Sequence, residues 1–358
     1  MRILIFHDYL DNLGGGERLV LTLAREIGAD IATMDLNRGV CEKMGCPETK
    51  IINLGQTLKI SPLKQIQATL TYLLCDFRNQ YDFFILSGNW AQYASINHHK
   101  NLWYCHTPTR VFYDLHQSHL KKMNPLLKPF FHLWTCLHRA FDGWSVKHID
   151  EIVTNSRNTQ KRIKKYYDRE SEVVYTAIDT DRYYNKKPGD FWLSVNRIYP
   201  EKRLEIQFKA FEKLPHLRLL VVGDTLRGDH STQYKKNLLE HKPENVELLG
   251  QLSDEKLREL YSTCRGLICT AQDEDLGVTP IEAQASGKPV VAVDEGGYRE
   301  TILDGSTGRL VQPQTDSIVK AVEEVDKDPQ VYRQACENQA KKFDTKIFIE
   351  KIRQKLKP

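Results

Sequence analysis

The 358-residue chain has no long apolar run. Its longest stretches are strand-sized and broken by charges, well short of the roughly 18 residues a membrane-spanning helix needs. Nothing in it is therefore expected to cross a bilayer. Cysteine is sparse, at eight residues, which excludes a disulfide scaffold and makes reduced core thiols the expectation for Cys105, Cys136 and Cys269. Cys41 with Cys46 and Cys264 with Cys269 each have four residues between them, but no His or Cys cluster follows to complete a zinc site. Charge of one sign is also missing. Lys and Arg number 51 against 47 Asp and Glu, a formal +4 that is too small to imply a nucleic-acid partner. The start, MRILIFHDYL, lacks the long apolar core and small-residue cleavage site of a signal peptide, so a cytoplasmic chain is expected.

What is present is an ordinary folded composition, with 41% hydrophobic and 27% charged residues. At about 150 residues per domain, the length suggests two domains. Charge is uneven along the chain. From Arg110 to Glu170 there are 12 Lys and Arg against six acids, so this segment carries +6 and invites a negatively charged surface as its partner.

Apolar strand-like runs alternate with helical stretches. They are Arg2 to Phe6, Ala29 to Thr33, Lys50 to Leu54, Asp82 to Leu86, Asn101 to Cys105, Glu151 to Thr154 and Val173 to Tyr175. The pattern breaks at Lys186-Lys187-Pro188-Gly189. It resumes at Phe191 to Val195, Leu217 to Val222, Val246 to Leu249, Gly266 to Thr270, Pro289 to Val293 and Arg309 to Val311. Such alternation predicts an α/β chain of two Rossmann-like halves with parallel sheets. The expected division is 1–180, 188–343 and a final helix at 344–358. That helix places Phe348, Ile352 and Leu356 on one face, with Lys346, Lys351, Arg353 and Lys355 toward solvent. Open parallel sheets bind ligands outside the carboxyl ends of their strands, so residues just after strands are the candidates.

After the first strand, Gly14-Gly15-Gly16-Glu17-Arg18 opens an amphipathic helix. Glycines there let backbone N–H groups and the helix dipole meet a phosphate, although a tight turn alone would also explain them. A dinucleotide fingerprint would need Gly where Leu19 stands, and no Gly-Lys-Ser/Thr follows. The strand Asn101 to Cys105 runs into His106-Thr107-Pro108-Thr109-Arg110, where His106 could bond a sugar hydroxyl or a phosphate oxygen, or be structural. After Phe191 to Val195 come Arg197, Lys202 and Arg203, two or three cations in one short loop, which suits a diphosphate or simply a solvated surface.

The stretch Asp273-Glu274-Asp275-Leu276-Gly277-Val278-Thr279-Pro280-Ile281-Glu282 opens another helix. Pro280 suits a first helical position and Thr279 to Glu282 has capping-box spacing, a structural account that leaves Glu274 unexplained. Functionally, backbone N–H groups near Gly277 could take phosphate while the two carboxylates bind sugar and ribose hydroxyls. Glu295-Gly296-Gly297-Tyr298 is a further close-approach loop. Asp179-Thr180-Asp181 and Asp273-Glu274-Asp275 have metal-binding spacing, but Asp179 lies near the join between the halves, where turn-forming Asp is commonplace, and Asp273 flanks the helix start just described, so no metal is expected.

Taken in order, Gly14 to Arg18, His106-Thr107-Pro108, Asn155-Ser156, Val174-Tyr175 leading to Asp179, Arg197 with Pro200-Glu201-Lys202, and Glu274 to Glu282 resemble family 4 of the retaining glycosyltransferases, in particular its mannosyltransferase branch. The resemblance covers nearly the whole chain. It implies the GT-B fold, two Rossmann-like domains facing a central cleft, with the last helix crossing back to the first domain. It also implies roles. Arg197 and Lys202 would bind the nucleotide diphosphate and Glu282 the ribose. Glu274 with the backbone of Leu276, Gly277, Val278 and Thr279 would hold the donor sugar and phosphate. His106 would contact the transferring sugar, and Gly15 and Gly16 would lie against the phosphate. Gly16 departs from the pattern, since relatives often carry Ala or Val there.

The expected reaction is metal-independent hexosyl transfer with retention, mannose favoured, from a nucleotide diphosphate sugar to a glycan or lipid-linked acceptor. GDP-mannose is the favoured donor and no cofactor is expected. A sugar-nucleotide epimerase of the same fold and a catalytically silent nucleotide-sugar binding protein are the alternatives. Between Leu127 and Trp144, the residues Leu127, Phe130, Trp134, Leu137, Phe141 and Trp144 follow helical spacing near Lys121, Lys122, Lys128 and Arg139. Core packing is the first reading of this stripe. Peripheral contact with anionic membrane, at the inner face of the plasma membrane, is the second.

Overall fold

A computed structural model describes residues 1–12, 14–43, 49–60, 62–225 and 232–356. The chain divides into two compact units, one of residues 1–175 with 349–358 and the other of residues 176–348. The first contains β1 (Ile3–Tyr9), β2 (Asp30–Met34), β3 (Ile51–Asn53), β4 (Phe83–Ser87), β5 (Asn101–Cys105), β6 (Glu151–Thr154) and β7 (Glu172–Val173). The second contains β8 (Phe191–Val195), β9 (Arg218–Val222), β10 (Val246–Gly250), β11 (Leu267–Cys269), β12 (Val290–Val293) and β13 (Gly308–Val311).

Every strand pair in both sheets is parallel. The orders are β3-β2-β1-β4-β5-β6-β7 and β10-β9-β8-β11-β12-β13. Parallel strands are covered on both faces, which is why they read as nearly continuous apolar runs. In the second sheet the alternation is visible residue by residue. Trp192, Leu219, Val221, Ile268 and Val291 point into one core, and Leu193, Leu220, Val222, Leu267, Val290 and Ala292 into the other. Each sheet also reverses its direction of growth once, between β1 and β4 and between β8 and β11. A crevice opens at such a reversal.

Strand positions follow the sequence pattern to within a few residues at either end, but the join between the units does not. The break was expected around 181–187, whereas the second unit begins at Thr176. The intervening extended segment spends its backbone and side-chain groups on that unit: Lys186 N–H donates to the Ser262 carbonyl and Gly189 N–H to that of Thr263, while Asn185 Nδ2 donates to the Ser286 carbonyl. Asp179 and Asp181 belong here too, in a turn where Asp181 pairs with Lys346 at 3.1 Å.

The final helix, Thr345–Lys355, buries Phe348, Ile352 and Leu356. Its residues from Ile349 onward belong to the first unit. Lys355, expected in solvent, instead pairs with Glu151 and, at 2.5 Å, with Glu172. Among the cysteines, Cys105, Cys264 and Cys269 are buried free thiols, and burial pushes the latter two up to about 12. Cys136 is exposed, contrary to expectation, because it lies on the outer side of its helix. Cys46 lies outside the described residues, and with it the Cys41–Cys46 pair.

Candidate active site

In the second unit, the loops that follow β8 and β11, the two strands flanking the reversal, are stitched together. Gln272 N–H donates to the Glu201 carbonyl at 2.7 Å, and Thr270 Oγ1 donates to the Lys202 carbonyl at 2.7 Å. Lys202 Nζ in turn lies 2.5 Å from Glu274 Oε2, so a cation of the first loop and a carboxylate of the second share one place, both only partly exposed. The three cations of the 197–203 loop behave differently. Arg203 is fixed within the unit, with its fork on Glu295 at 3.1 and 2.7 Å and its Nε donating to the Thr270 carbonyl at 2.7 Å. It is therefore removed from the cation clamp. Arg197 is exposed, and its guanidinium has no ion-pair partner among the described residues.

The helix Val278–Ala285 starts differently from the sequence expectation. Its N-cap is Gly277, at φ +89, so Pro280 is the third helical residue and Thr279 caps nothing. Only glycine fits at 277. The backbone is left-handed, and a Cβ would lie 2.8 Å from the Tyr298 ring. Gly297 is needed for close approach, since a Cβ there would lie 2.4 Å from Leu276 Cα, and its N–H donates to the Glu274 carbonyl at 2.8 Å. The Leu276 side chain is buried, so only its backbone can face a ligand, whereas Val278 and Thr279 are partly exposed. The amides of the first helical turn, where Val278 and Thr279 lie, point along the axis toward the crevice end of β11. Glu282 does not close a capping box. Its two carboxylate oxygens accept from the hydroxyls of Tyr183, at 3.0 Å, and Tyr261, at 2.8 Å, which fixes its orientation.

In the first unit the corresponding residues gather at the carboxyl ends of β1, β4 and β5, which are neighbours in the sheet. Ser87 links two imidazoles: its carbonyl oxygen lies 3.0 Å from His7 Nδ1 and its hydroxyl 3.0 Å from His106 Nε2. A carbonyl only accepts, so His7 Nδ1 carries a proton, by inference from the network. His7 Nε2 is buried and has no hydrogen-bond partner among the described residues. Burial pushes the His106 imidazole down to about 4, and the nearby His7 adds to this, so His106 is neutral at pH 7. Asp8 ties the loops after β1 and β4 together, accepting from the amides of Asn89, Trp90 and Ala91 at 2.7–2.9 Å.

The helix Gly15–Ile27 begins beside these rings. A Cβ at Gly16 would be 4.0 Å from both His7 and His106, ordinary contact, and one at Gly15 would meet nothing within 4 Å. The departure at Gly16 is thus sterically mild. His7 and Ser87 were not singled out from sequence. Ser87 is the last residue of β4 and His7 lies within β1, short of its end at Tyr9, so a rule confined to residues after strands passes over both.

Residues 179–343 match the family model of glycosyl transferases group 1. Over 393 aligned residues, covering 92% of this chain and 90% of the other, the sequence is 24% identical to alpha-1,3/1,6-mannosyltransferase ALG2 of Dictyostelium discoideum. The chain is a glycosyltransferase, similar over residues 179–343 to group 1. It is also 25% identical over 191 residues to the O-antigen chain mannosyltransferase RfbU of Salmonella typhimurium, covering 50% of this chain and 53% of that one. Among solved structures, Anabaena Alr3699/HepE in complex with UDP and glucose superposes with a TM-score of 0.76 at 19% identity, covering 99% and 98% of the two chains. The glycosyltransferase therefore has the GT-B fold of two Rossmann-like domains.

The stripe between Leu127 and Trp144 of the glycosyltransferase divides in two. Trp134 and Phe141 pack against the first core together with Phe131, whereas Leu127, Phe130, Leu137 and Trp144 are exposed. Core packing therefore accounts for only one side of the helix. No described helix is long and apolar enough to cross a membrane. Among the described residues no group of three or more His, Cys, Asp or Glu is gathered to hold a metal ion.

Proposed function

We propose that the protein transfers a hexose, mannose favoured, from a nucleotide diphosphate sugar to a glycan or lipid-linked acceptor, with retention and without a metal ion. The observation that supports this is the Lys202–Glu274 pair joining the loop after β8, which also carries the exposed Arg197, to the loop after β11, which leads into the helix Val278–Ala285. Arg197 and Lys202 then bind the diphosphate, the amides after Gly277 add to that field, Glu282 takes the ribose, and Glu274 exchanges Lys202 for sugar hydroxyls. In the first unit His106 contacts the transferring sugar, and Gly15 and Gly16 meet phosphate.

Double displacement would need a carboxylate nucleophile beneath the sugar, and the residues assigned here include none for that role. In the proposed front-face route the departing phosphate oxygen accepts the acceptor's proton as the new glycosidic bond forms on the same face. The fixed cations meanwhile stabilise charge developing on the diphosphate. Mannose is supported by the mannosyltransferase relatives. A UDP-sugar is the second donor reading, supported by the UDP complexes of the structural neighbour. A thermal-shift panel of GDP, UDP and ADP sugars, followed by product analysis with the stabilising donor, tests the assignment. Retained configuration in the product supports it and inversion overturns the route.

A further inference from the structure

Ser87 ends β4, and only 2% of the residue is exposed. Its hydroxyl has one hydrogen-bond partner among the described residues, His106 Nε2 at 3.0 Å. A buried hydroxyl proton without an acceptor is costly, so Ser87 donates and His106 Nε2 accepts. The imidazole is neutral at pH 7, because burial, and then the nearby His7, lower it to about 4. A neutral ring carries a single proton. With Nε2 accepting, that proton is on Nδ1, by inference from the network.

The ring is held on its other sides. A Cβ at Gly16 would lie 4.0 Å from Cε1 and Nε2 of His106, so the start of the helix Gly15–Ile27 lies beside that edge. Tyr104 meets the ring edge-on, with centroids 5.1 Å apart, and is itself anchored by donating its hydroxyl to the Val174 carbonyl at 2.9 Å. Thr159 Oγ1 donates to the His106 carbonyl at 3.3 Å, which fixes the backbone. His106 Nδ1 makes no hydrogen bond among the described residues, and unlike His7 Nε2 it is not sealed from water. We propose that Ser87 is a positioning residue: by filling Nε2 it locks the Nδ1–H tautomer, so that His106 meets the transferring sugar as a neutral hydrogen-bond donor to one of its hydroxyl oxygens. This deepens the contact of His106 with the sugar proposed above and rests on that reading.

Long-range proton–nitrogen correlation spectra of the full chain, labelled at its 12 histidines, read the tautomer directly, with His106→Asn identifying the resonances that belong to this ring. The wild type should show Nδ1–H, the form that a free imidazole side chain in water disfavours. Ser87→Ala should lose that exclusive signature, and Ser87→Thr, which restores a hydroxyl, should regain it. Release of nucleoside diphosphate from GDP-mannose, UDP-glucose and ADP-glucose gives the second readout. With the donor that turns over, Ser87→Ala should lower kcat by about two- to tenfold, the worth of one hydrogen bond. Its affinity for the free nucleoside diphosphate should not change, since that ligand lacks the sugar. Equal melting temperatures verify folding in each variant. An Nε2–H wild type overturns the inference, as does an unchanged tautomer or an unchanged kcat in Ser87→Ala. His106→Ala separates this from failure of the underlying reading. A wild-type kcat there removes His106 from the sugar, whereas a slowed His106→Ala beside an unaffected Ser87→Ala removes only the role of Ser87.

Discussion

Lys202 Nζ and Glu274 Oε2 lie 2.5 Å apart, joining the loop after β8 to the loop after β11. Both side chains keep about a quarter of their surface in water, so the pair is neither sealed in a core nor a free surface ion pair. In the proposed site, a diphosphate arriving at Lys202 would replace the carboxylate with a more highly charged oxyanion and release Glu274 toward hydroxyl donors. The pair therefore holds both residues in position before the ligand arrives.

Arg197 has no such partner among the described residues, which separates its role in function from its role in stability. Arg197→Ala is expected to slow transfer by about 10²- to 10³-fold, the usual loss for one preorganised charge-stabilising donor, with the melting temperature unchanged. Steady-state rates beside a melting curve check both halves. A wild-type rate would remove Arg197 from the site.

The glycines divide in the same way. Gly16→Ala meets only ordinary contacts, and the variant should melt no lower than wild type, gaining up to about 1 kcal/mol from the less flexible unfolded chain. Gly277→Ala must hold a left-handed backbone, costing roughly 1–3 kcal/mol, before its methyl meets the Tyr298 ring. Equal destabilisation of the two variants by urea titration would contradict this assignment.

Asp142 makes stability depend on pH. Burial raises its carboxyl to about 6 against an ordinary 3.8, despite the opposing hydroxyls of Tyr113 and Tyr167. Between those values the folded chain binds more protons than the unfolded one, so this group's contribution falls as pH rises through the window. Asp142→Asn lacks that term. Whatever the offset at pH 4, the variant should gain on wild type by about 2 kcal/mol by pH 7, read from urea denaturation at both values. A difference that stays flat with pH would refute it.

Turnover is expected to persist in EDTA, because Arg197 and Lys202 rather than a bound ion are proposed to balance the diphosphate. Loss of activity in chelator, restored by Mg²⁺ or Mn²⁺, would overturn that part of the mechanism.

The strands were legible because parallel sheets bury both faces and leave short apolar runs, as at Asn101–Cys105 and Phe191–Val195, where the boundaries agree to the residue. The join between units was not. Composition breaks at Lys186 to Gly189, but membership is decided by long-range hydrogen bonds such as Lys186 to Ser262, which no local pattern carries. The candidate residues could be found from their places after strands, yet their partners could not. Arg203 looks equivalent to Arg197 in sequence, and only the fold shows its fork committed to Glu295. Glu282 has capping-box spacing, but tyrosines 99 and 21 positions away take its carboxylate. The 127–144 stripe has two apolar faces about a quarter-turn apart, and periodicity alone merges them.

The central claim is that the loops after β8 and β11 hold a nucleoside diphosphate. Its most direct test is the melting temperature of wild type and of Arg197→Ala with GDP-mannose, UDP-glucose and ADP-glucose. One of these donors should stabilise the wild type, by about 2.7 kcal/mol at 100 times its dissociation constant, and stabilise the variant far less. No shift with any of the three, or the same shift in both proteins, would contradict the account.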